Sequence, residues 1–195
     1  MLFWLLSILQ ILLILSGFII TIRLFYIINS FHKKNSVPYV PTPRFIIKQM
    51  IESSKINNMA QNKIVKAVDL GSGTGKIVFY IAAHTLKNVK ICGIEKSKLL
   101  CRISKLRLFF SPNKKRTKLM AGSWDEINLD EFDFLFLFLN NNALKSLLPK
   151  FQQETKSSVK IITYMFALPP NDIFDEEQIK SKGEKIFVYK KIKPA

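Results

Sequence analysis

Apolar residues open the chain as one unbroken block. From Met1 to Ile22 there is no charged side chain, and Leu and Ile dominate. Coiled as a helix, such a stretch spans about 33 Å, enough for the hydrocarbon core of a bilayer. Trp4 and Tyr26 stand near its two ends, where aromatic belts form. A cleaved signal peptide would begin with basic residues and carry a small-x-small cleavage site. A core helix would show a polar face, and only Ser7, Gln10, Ser16 and Thr21 are available for one. The pattern predicts a transmembrane signal anchor over 1–28.

A linker over 29–43 is expected next. Its second half, Val37-Pro38-Tyr39-Val40-Pro41-Thr42-Pro43, reads as an extended strap, because three prolines deny the backbone helix and ladder hydrogen bonds. Thr42 is placed to cap a helix that starts at Pro43, with Phe45, Ile46, Ile47, Met50 and Ile51 as its apolar face. From residue 44 to 195, short apolar runs alternate with helical patterns. Strands are predicted over 64–70, 89–94, 117–121, 132–139, 159–166 and 185–191. Helices are predicted over 77–83, 97–110 and 143–155, the last bent at Pro149. In the helix after Ser97, the inward face is Leu99, Leu100, Ile103, Leu106 and Phe110, with Lys98, Arg102, Lys105 and Arg107 outward. Phe132–Leu139 is apolar enough to sit at a sheet centre. The segment 171–183 reads as polar connection, giving six strands or a trimmed seven. The fold class is α/β, with a Rossmann-like, mostly parallel sheet preceded by one membrane-spanning helix.

Chemistry concentrates in Val68-Asp69-Leu70-Gly71-Ser72-Gly73-Thr74-Gly75-Lys76. A strand, a glycine-rich turn and a helix start bring backbone N–H groups and a positive dipole end to face a ligand. A phosphate-binding P-loop would need glycine at 70 and a hydroxyl at 77, where Leu70 and Ile77 stand. The dinucleotide fingerprint would need glycine at 76, which is Lys76. What remains is Asp-x-Gly-x-Gly-x-Gly. The next strand ends in Glu95, about 20 residues on, where an acid is placed to accept both ribose hydroxyls.

That loop with its acid resembles motif I of class I S-adenosylmethionine (SAM) methyltransferases. The resemblance implies SAM as cofactor, with Gly71, Ser72, Gly73 and Gly75 against its methionine part and Asp69 helping to hold its amino end. Glu95 would serve the ribose, Lys96 would also border the cofactor, and Ser123 and Trp124, at the third-strand exit, would serve the adenine. The order of features narrows this further. An apolar N-terminal span, Pro-Tyr-Val-Pro-Thr-Pro before a helix, Val-Asp-Leu-Gly-Ser-Gly-Thr-Gly and then Gly-x-Glu resemble the membrane-anchored protein-lysine methyltransferases, including those that modify the c-ring protein of ATP synthase. The likeness is good over roughly 38–100 and fades afterwards. Lys96-Ser97-Lys98 stands where that family continues Leu-Asn-Pro, and Gly122-Ser123-Trp124 where it has Asp-Leu-Trp. The adenine-binding aspartate is thus replaced by Ser123 or its role moved to Asp125; Trp124 lies against adenine or simply packs.

Asn140 and Asn141 follow the fourth strand, at the strand ends where open α/β sheets bind ligands. They are the candidate catalytic pair, accepting a hydrogen bond from the target nitrogen, with an N-cap as the alternative role for Asn140. His32 and His84 stand alone without ligand spacing, so no metal is expected. Cys92 and Cys101 fall in a buried strand and the following helix and are expected as reduced thiols.

The 195 residues, 48% hydrophobic, leave room for one globular domain beyond the anchor. A formal net charge of +16 is compatible with a solvated lysine-rich surface, with attraction to anionic headgroups, or with nucleic acid. The last is not favoured, because no aromatic–basic recognition motif is present. Arg23, Lys33, Lys34 and Arg44 follow the apolar segment and no charge precedes it. The positive-inside rule puts the N-terminus outside and the domain in the cytoplasm, or in the matrix of a mitochondrion. The implied partners are the bilayer, through 1–28, and a membrane-proximal protein lysine. The implied activity is methylation of that lysine, with a small-molecule or RNA methyltransferase, or a non-catalytic SAM-binding protein, as the alternatives.

Overall fold

A computed structural model describes residues 2–32 and 40–193, and the chain divides into two units, Met1–Val40 and Pro41–Ala195. In the first, helix α1 runs Leu2–His32. It continues four residues beyond the expected anchor end at 28, so Asn29–His32 is helical rather than linker. Leu6–Phe25 is long and apolar enough to cross a membrane, and its large side chains are exposed. The expected linker and strap over 33–39, and the side chain of Tyr26, lie outside the described residues.

The second unit carries its own core. Helix α2 (Arg44–Ser54) buries Ile46, Ile47, Met50 and Ile51, while Phe45 is exposed beneath the Lys182 ammonium. Pro43 is its N-cap residue, and no side chain caps it: Thr42 is buried instead of serving the helix start. A short helix α3 (Ile56–Ala60) leads into strand β1 (Val65–Leu70). Then come α4 (Lys76–His84), β2 (Val89–Glu95), α5 (Lys98–Phe109), β3 (Thr117–Ala121), β4 (Phe134–Leu137), α6 (Asn141–Glu154), β5 (Lys160–Tyr164), β6 (Phe174–Ser181) and β7 (Glu184–Lys191). Pro149 sits inside α6.

The seven strands form one sheet in the order β3-β2-β1-β4-β5-β7-β6. Strands β1 to β5 pair in parallel, and β7 runs antiparallel to both β5 and β6. The fourth strand is central and wholly buried, as its apolar run requires. On one face, Val65, Ala67, Val89, Ile91, Phe134, Phe136 and Ile162 pack against α2 and α4. Strand order reverses between β1 and β4, so their carboxyl ends flank a crevice of the kind in which open α/β sheets bind ligands.

Two expectations are corrected. The polar stretch 171–183 contains β6, joined to β7 by a two-residue turn in which Lys182 (φ 51°) and Gly183 (φ 83°) both take positive φ. This is the primed turn that suits the right-handed twist of a hairpin. As an edge strand, β6 buries Phe174 alone and leaves Asp175 through Gln178 in water, so it lacks the alternation by which strands are read. The sheet therefore has its full seven strands. In α5 the buried residues are Leu100, Cys101 and Ser104, whereas Leu99, Ile103, Leu106 and Phe110 are exposed. Small side chains let the helix approach the sheet closely, and the large apolar stripe turns outward. Cys92 and Cys101 are both buried and unpaired, as expected.

Arg116 closes the C-terminal end of α4. Its guanidinium donates to the carbonyls of Leu86 (2.6 Å), Thr85 (3.1 Å) and Ile81 (3.4 Å) and to Thr85 Oγ1 (2.7 Å). Carbonyls at a helix end lack a helical partner of their own. Arg116→Leu is expected to cost about 2 kcal/mol, because charge-assisted bonds to these acceptors are lost. Thermal denaturation of a 41–195 fragment should show a midpoint lowered by roughly 4–8 °C.

Candidate functional site

Asp69 lies buried in β1 just before its last residue, the equally buried Leu70, and the chain then turns through Gly71-Ser72-Gly73-Thr74-Gly75 into α4. Gly71 and Ser72 both donate their N–H to the Ile94 carbonyl at 2.9 Å, tying the turn to the end of β2. At Gly71 φ is +82°, and a Cβ would stand 2.9 Å from Leu139 Cδ2. At Gly75 φ is +78°, and a Cβ would meet the Phe79 ring at 2.8 Å. Both positions therefore need glycine for the backbone conformation and for the space. Gly73 also takes positive φ, at 53°. No side chain caps the first turn of α4.

Glu95 reaches into this turn from β2. Its Oε2 accepts the Gly73 N–H at 2.7 Å and its Oε1 accepts the Ser97 N–H at 2.7 Å. The same residue's carbonyl accepts the Gly122 N–H at 3.1 Å, joining the ends of β2 and β3. Ser97 caps α5 as expected, accepting from the Leu100 N–H. Lys96, between these two residues, is exposed.

Past β3, Ser123 Oγ donates to Asp125 Oδ2 at 2.8 Å and accepts the Asp125 N–H at 3.5 Å. The two candidates for the adenine contact thus form one unit in a single turn, with Trp124 half-buried between them. Asn140 lies beyond β4 as the N-cap of α6, its Oδ1 accepting the Ala143 N–H at 3.0 Å. It is half-buried and follows Leu139, the residue against Gly71. Asn141, the first residue of α6, is exposed. The next strand end is strained: Met165 has φ 69°, with the Phe166 N–H bonded back to the Tyr164 carbonyl at 2.8 Å. Such turns cost about 1–3 kcal/mol and cluster at functional sites.

Two residues of this region were not singled out by sequence. At Gly93 a Cβ would stand 2.8 Å from both Val78 Cγ2 and Leu119 Cδ2 and 2.9 Å from Ser72 Oγ, so glycine there lets α4 and the turn lie against the sheet. Its place in Gly-x-Glu was the available signal. Arg107, expected to point outward, bonds the Thr74 carbonyl at 2.6 Å and lies over the Phe79 ring at 4.8 Å. It clamps the turn to α5, and no local pattern marks such a long-range contact. A groove of about 390 Å³ lies elsewhere, lined by Lys66, Lys90, Lys118, Cys92, Met120 and Phe132 toward the amino ends of β1–β3. It is not part of this site.

The electrostatics concern two acids. Burial, with the nearby Glu95 carboxylate adding to it, pushes the Asp69 carboxyl up to about 8. A buried carboxyl beside a second one resists ionising until a cation arrives. Ser72 Oγ is buried with no hydrogen-bond partner among the described residues, an orphan that polar contact from a ligand would satisfy. Each Glu95 oxygen spends one lone pair on an N–H and leaves another open to a further donor. This cradle fits a cationic, ribose-bearing cofactor, and SAM is one.

Known proteins agree. The profile described as "ANTKMT methyltransferase domain" matches residues 69–172, more than half of the chain. A protein-lysine N-methyltransferase of Saccharolobus islandicus (strain REY15A) is 29% identical over 132 residues, 68% of this chain and 78% of that protein. A lysine N-methyltransferase of Caenorhabditis elegans, named for the c-type subunit of ATP synthase, is 28% identical over 160 residues, 80% of each. Among solved structures, an RNA methyltransferase from Salinibacter ruber in complex with S-adenosyl-L-homocysteine superposes with a TM-score of 0.67 at 19% identity. It covers 77% of this chain and 93% of its own, which shows the fold.

Cofactor binding should respond to both acids. Glu95→Gln sets an NH₂ against one of two backbone N–H donors, so calorimetry should show SAM affinity lowered at least tenfold. For Asp69, the folded protein holds a proton up to about 8 that the unfolded chain releases near 4. Stability of the cofactor-free protein should therefore fall as pH rises through that window, since the folded state binds more protons. SAM affinity should rise over pH 6–8, because a cation favours the ionised carboxylate. Asp69→Asn should flatten both profiles; an unchanged slope would rule out this role for Asp69.

Proposed function

Because the chain belongs to the ANTKMT methyltransferase domain family and is a SAM-dependent methyltransferase, we propose that its acceptor is a lysine side-chain amine in a protein close to a membrane. The observation that carries the lysine reading is Asn140, an amide acceptor at the strand-order reversal, beside the glycine turn. The lysine-directed names of both relatives described above support it.

SAM supplies a methyl group on a positive sulfonium, already electrophilic, so the protein has mainly to position the amine and keep water away. A lysine amine ordinarily titrates near 10.4 and must lose its proton to attack. A dry crevice lowers that value by disfavouring the ammonium form. Asn140 Oδ1 has given one lone pair to Ala143 and keeps the other for an amine N–H, which orients the attacking pair. Capping and catalysis are then two uses of one amide. Asn141, one residue on, is the second polar group within reach of an incoming chain. Met165, exposed on its strained turn, offers an apolar wall for the lysine methylenes. Ser123 with Asp125 takes the adenine amino group, Trp124 flanks the ring, and Lys96 borders the ribose.

Membrane placement is argued from α1. Leu6–Phe25 spans about 30 Å as a helix, matching a bilayer core. The domain sits on the cytoplasmic side, or the matrix side in a mitochondrion, since Arg23 stands in the last turn of the span and the later basic residues follow it. Only seven residues separate His32 from Val40 in sequence, so a tethered domain gains effective concentration for acceptors near the surface.

Asn140→Ala should lower methyl transfer to lysine at least tenfold with SAM affinity unchanged, read by mass spectrometry of membrane proteins and by calorimetry. Methylated RNA with unmodified lysines would refute the acceptor. Deleting 1–32 should cut methylation of a membrane-held lysine far more than of a soluble peptide carrying the same residue. Equal loss on both would mean that the membrane plays no part in acceptor choice.

A further inference from the structure

Helix α5 presents two faces of opposite character. Leu100, Cys101 and Ser104 are buried against the domain. On the other side, Leu99 is 57% exposed, Ile103 41%, Leu106 65% and Phe110 76%. At about 100° per residue, these four fall within about 60° of one another, and their mean direction lies roughly 135° from that of the buried Leu100, Cys101 and Ser104. Phe109, 70% exposed, extends the patch and meets Phe110 edge to face at 5.1 Å. Scattered single apolar residues on a surface need no explanation, but a contiguous stripe of this kind marks an interaction site.

Charge says what covers it. Lys98, Arg102 and Lys105 flank the stripe along one side, and the Lys114 ammonium stands 6.0 Å over the Phe109 ring. From Lys96 to Lys118 the chain carries nine Lys or Arg side chains and no Asp or Glu. A second copy of the chain would set this positive charge against itself, which disfavours self-pairing. Leucine, isoleucine and phenylalanine above a basic flank form the pattern of a helix that lies in a headgroup layer.

We propose that α5 docks on the surface of an anionic phospholipid bilayer, with Leu99, Ile103, Leu106 and Phe110 entering the headgroup boundary and Lys98, Arg102 and Lys105 pairing with phosphates. The helix begins just after Glu95, whose carboxylate holds the Ser97 N–H. Docking therefore brings the cofactor crevice to the lipid surface. This contact is separate from the N-terminal span and does not depend on which group is methylated.

The 41–195 fragment, whose buried hydrophobic residues run from Ile46 to Tyr189, allows the test without α1. It should sediment with vesicles of phosphatidylcholine and phosphatidylglycerol, more weakly as salt rises, and not with phosphatidylcholine alone. Leu106→Ser with Phe110→Ser should lower binding at least tenfold, as should Lys98→Gln with Arg102→Gln and Lys105→Gln, while circular dichroism and SAM affinity stay unchanged. Leu106→Trp keeps the stripe apolar and should show blue-shifted fluorescence, quenched by brominated lipid, on adding anionic vesicles. Three results would overturn the proposal: no partitioning onto anionic vesicles, partitioning unaffected by the stripe substitutions, or a dimer that those substitutions dissolve.

Discussion

One carboxylate holds the ligand end of this sheet together. Glu95 accepts the N–H of Gly73 through one oxygen and that of Ser97 through the other, both at 2.7 Å, while its carbonyl takes the N–H of Gly122. Bonds from N–H groups to an ionised acceptor are short and about twice as strong as neutral ones. They fix a turn rich in glycine, which has more conformational freedom to lose than any other residue. The glycine turn, the start of α5 and the exit of β3 thus share a single reference point. Arg107 adds a second tie from α5 to Thr74. Loss of the Glu95 carboxylate would free the glycine turn and the start of α5 at once.

The same arrangement explains why Asp69 holds its proton. Glu95 is half-exposed and its charge is met by backbone donors, whereas Asp69 lies fully inside. Burial and the neighbouring negative charge both act on Asp69, in the same direction. The site carries a negative field of its own and a proton that partly cancels it. A cation entering the crevice replaces that proton and lets the second carboxylate ionise, so affinity for a positive group is built into the pair.

Much of this could be read in the chain because the local signal and the tertiary outcome coincide. The buried parallel strands are continuous apolar runs, and the glycine turn is set by spacing that two rival motifs fail to meet. Ser97 and Asn140 cap their helices with side chains suited to it. Reading fails where context outweighs pattern. Helix α5 buries Leu100, Cys101 and Ser104 and leaves its more hydrophobic stripe outside, and the close approach to Gly75 favours the small Ser104 on the inner face. Strand β6 has no second neighbour to bury it and so no alternation. Thr42 was available to cap α2 but is buried, and Arg107 reaches across 33 residues to a carbonyl. The roles of Asn140, Ser123 and Trp124 toward ligands rest on position alone.

The fold is also a lean one, and that shapes its surface. Only a single 3-10 turn, Trp124–Glu126, lies between β3 and β4, and no helix lies between β5 and β6. Strand surface that a helix would otherwise hide instead carries Lys66, Lys90 and Lys118 beside a groove. Lysine suits such a face, since its stem covers apolar surface while its ammonium stays in water. The same residue type surrounds the exposed stripe of α5. There, like charge opposes contact between copies of the domain even though large apolar side chains are uncovered. Repulsion between copies and attraction to an anionic layer are two consequences of one positive field. On the proposed reading, a domain built this way resists self-association through that field while its apolar stripe commits to an anionic surface.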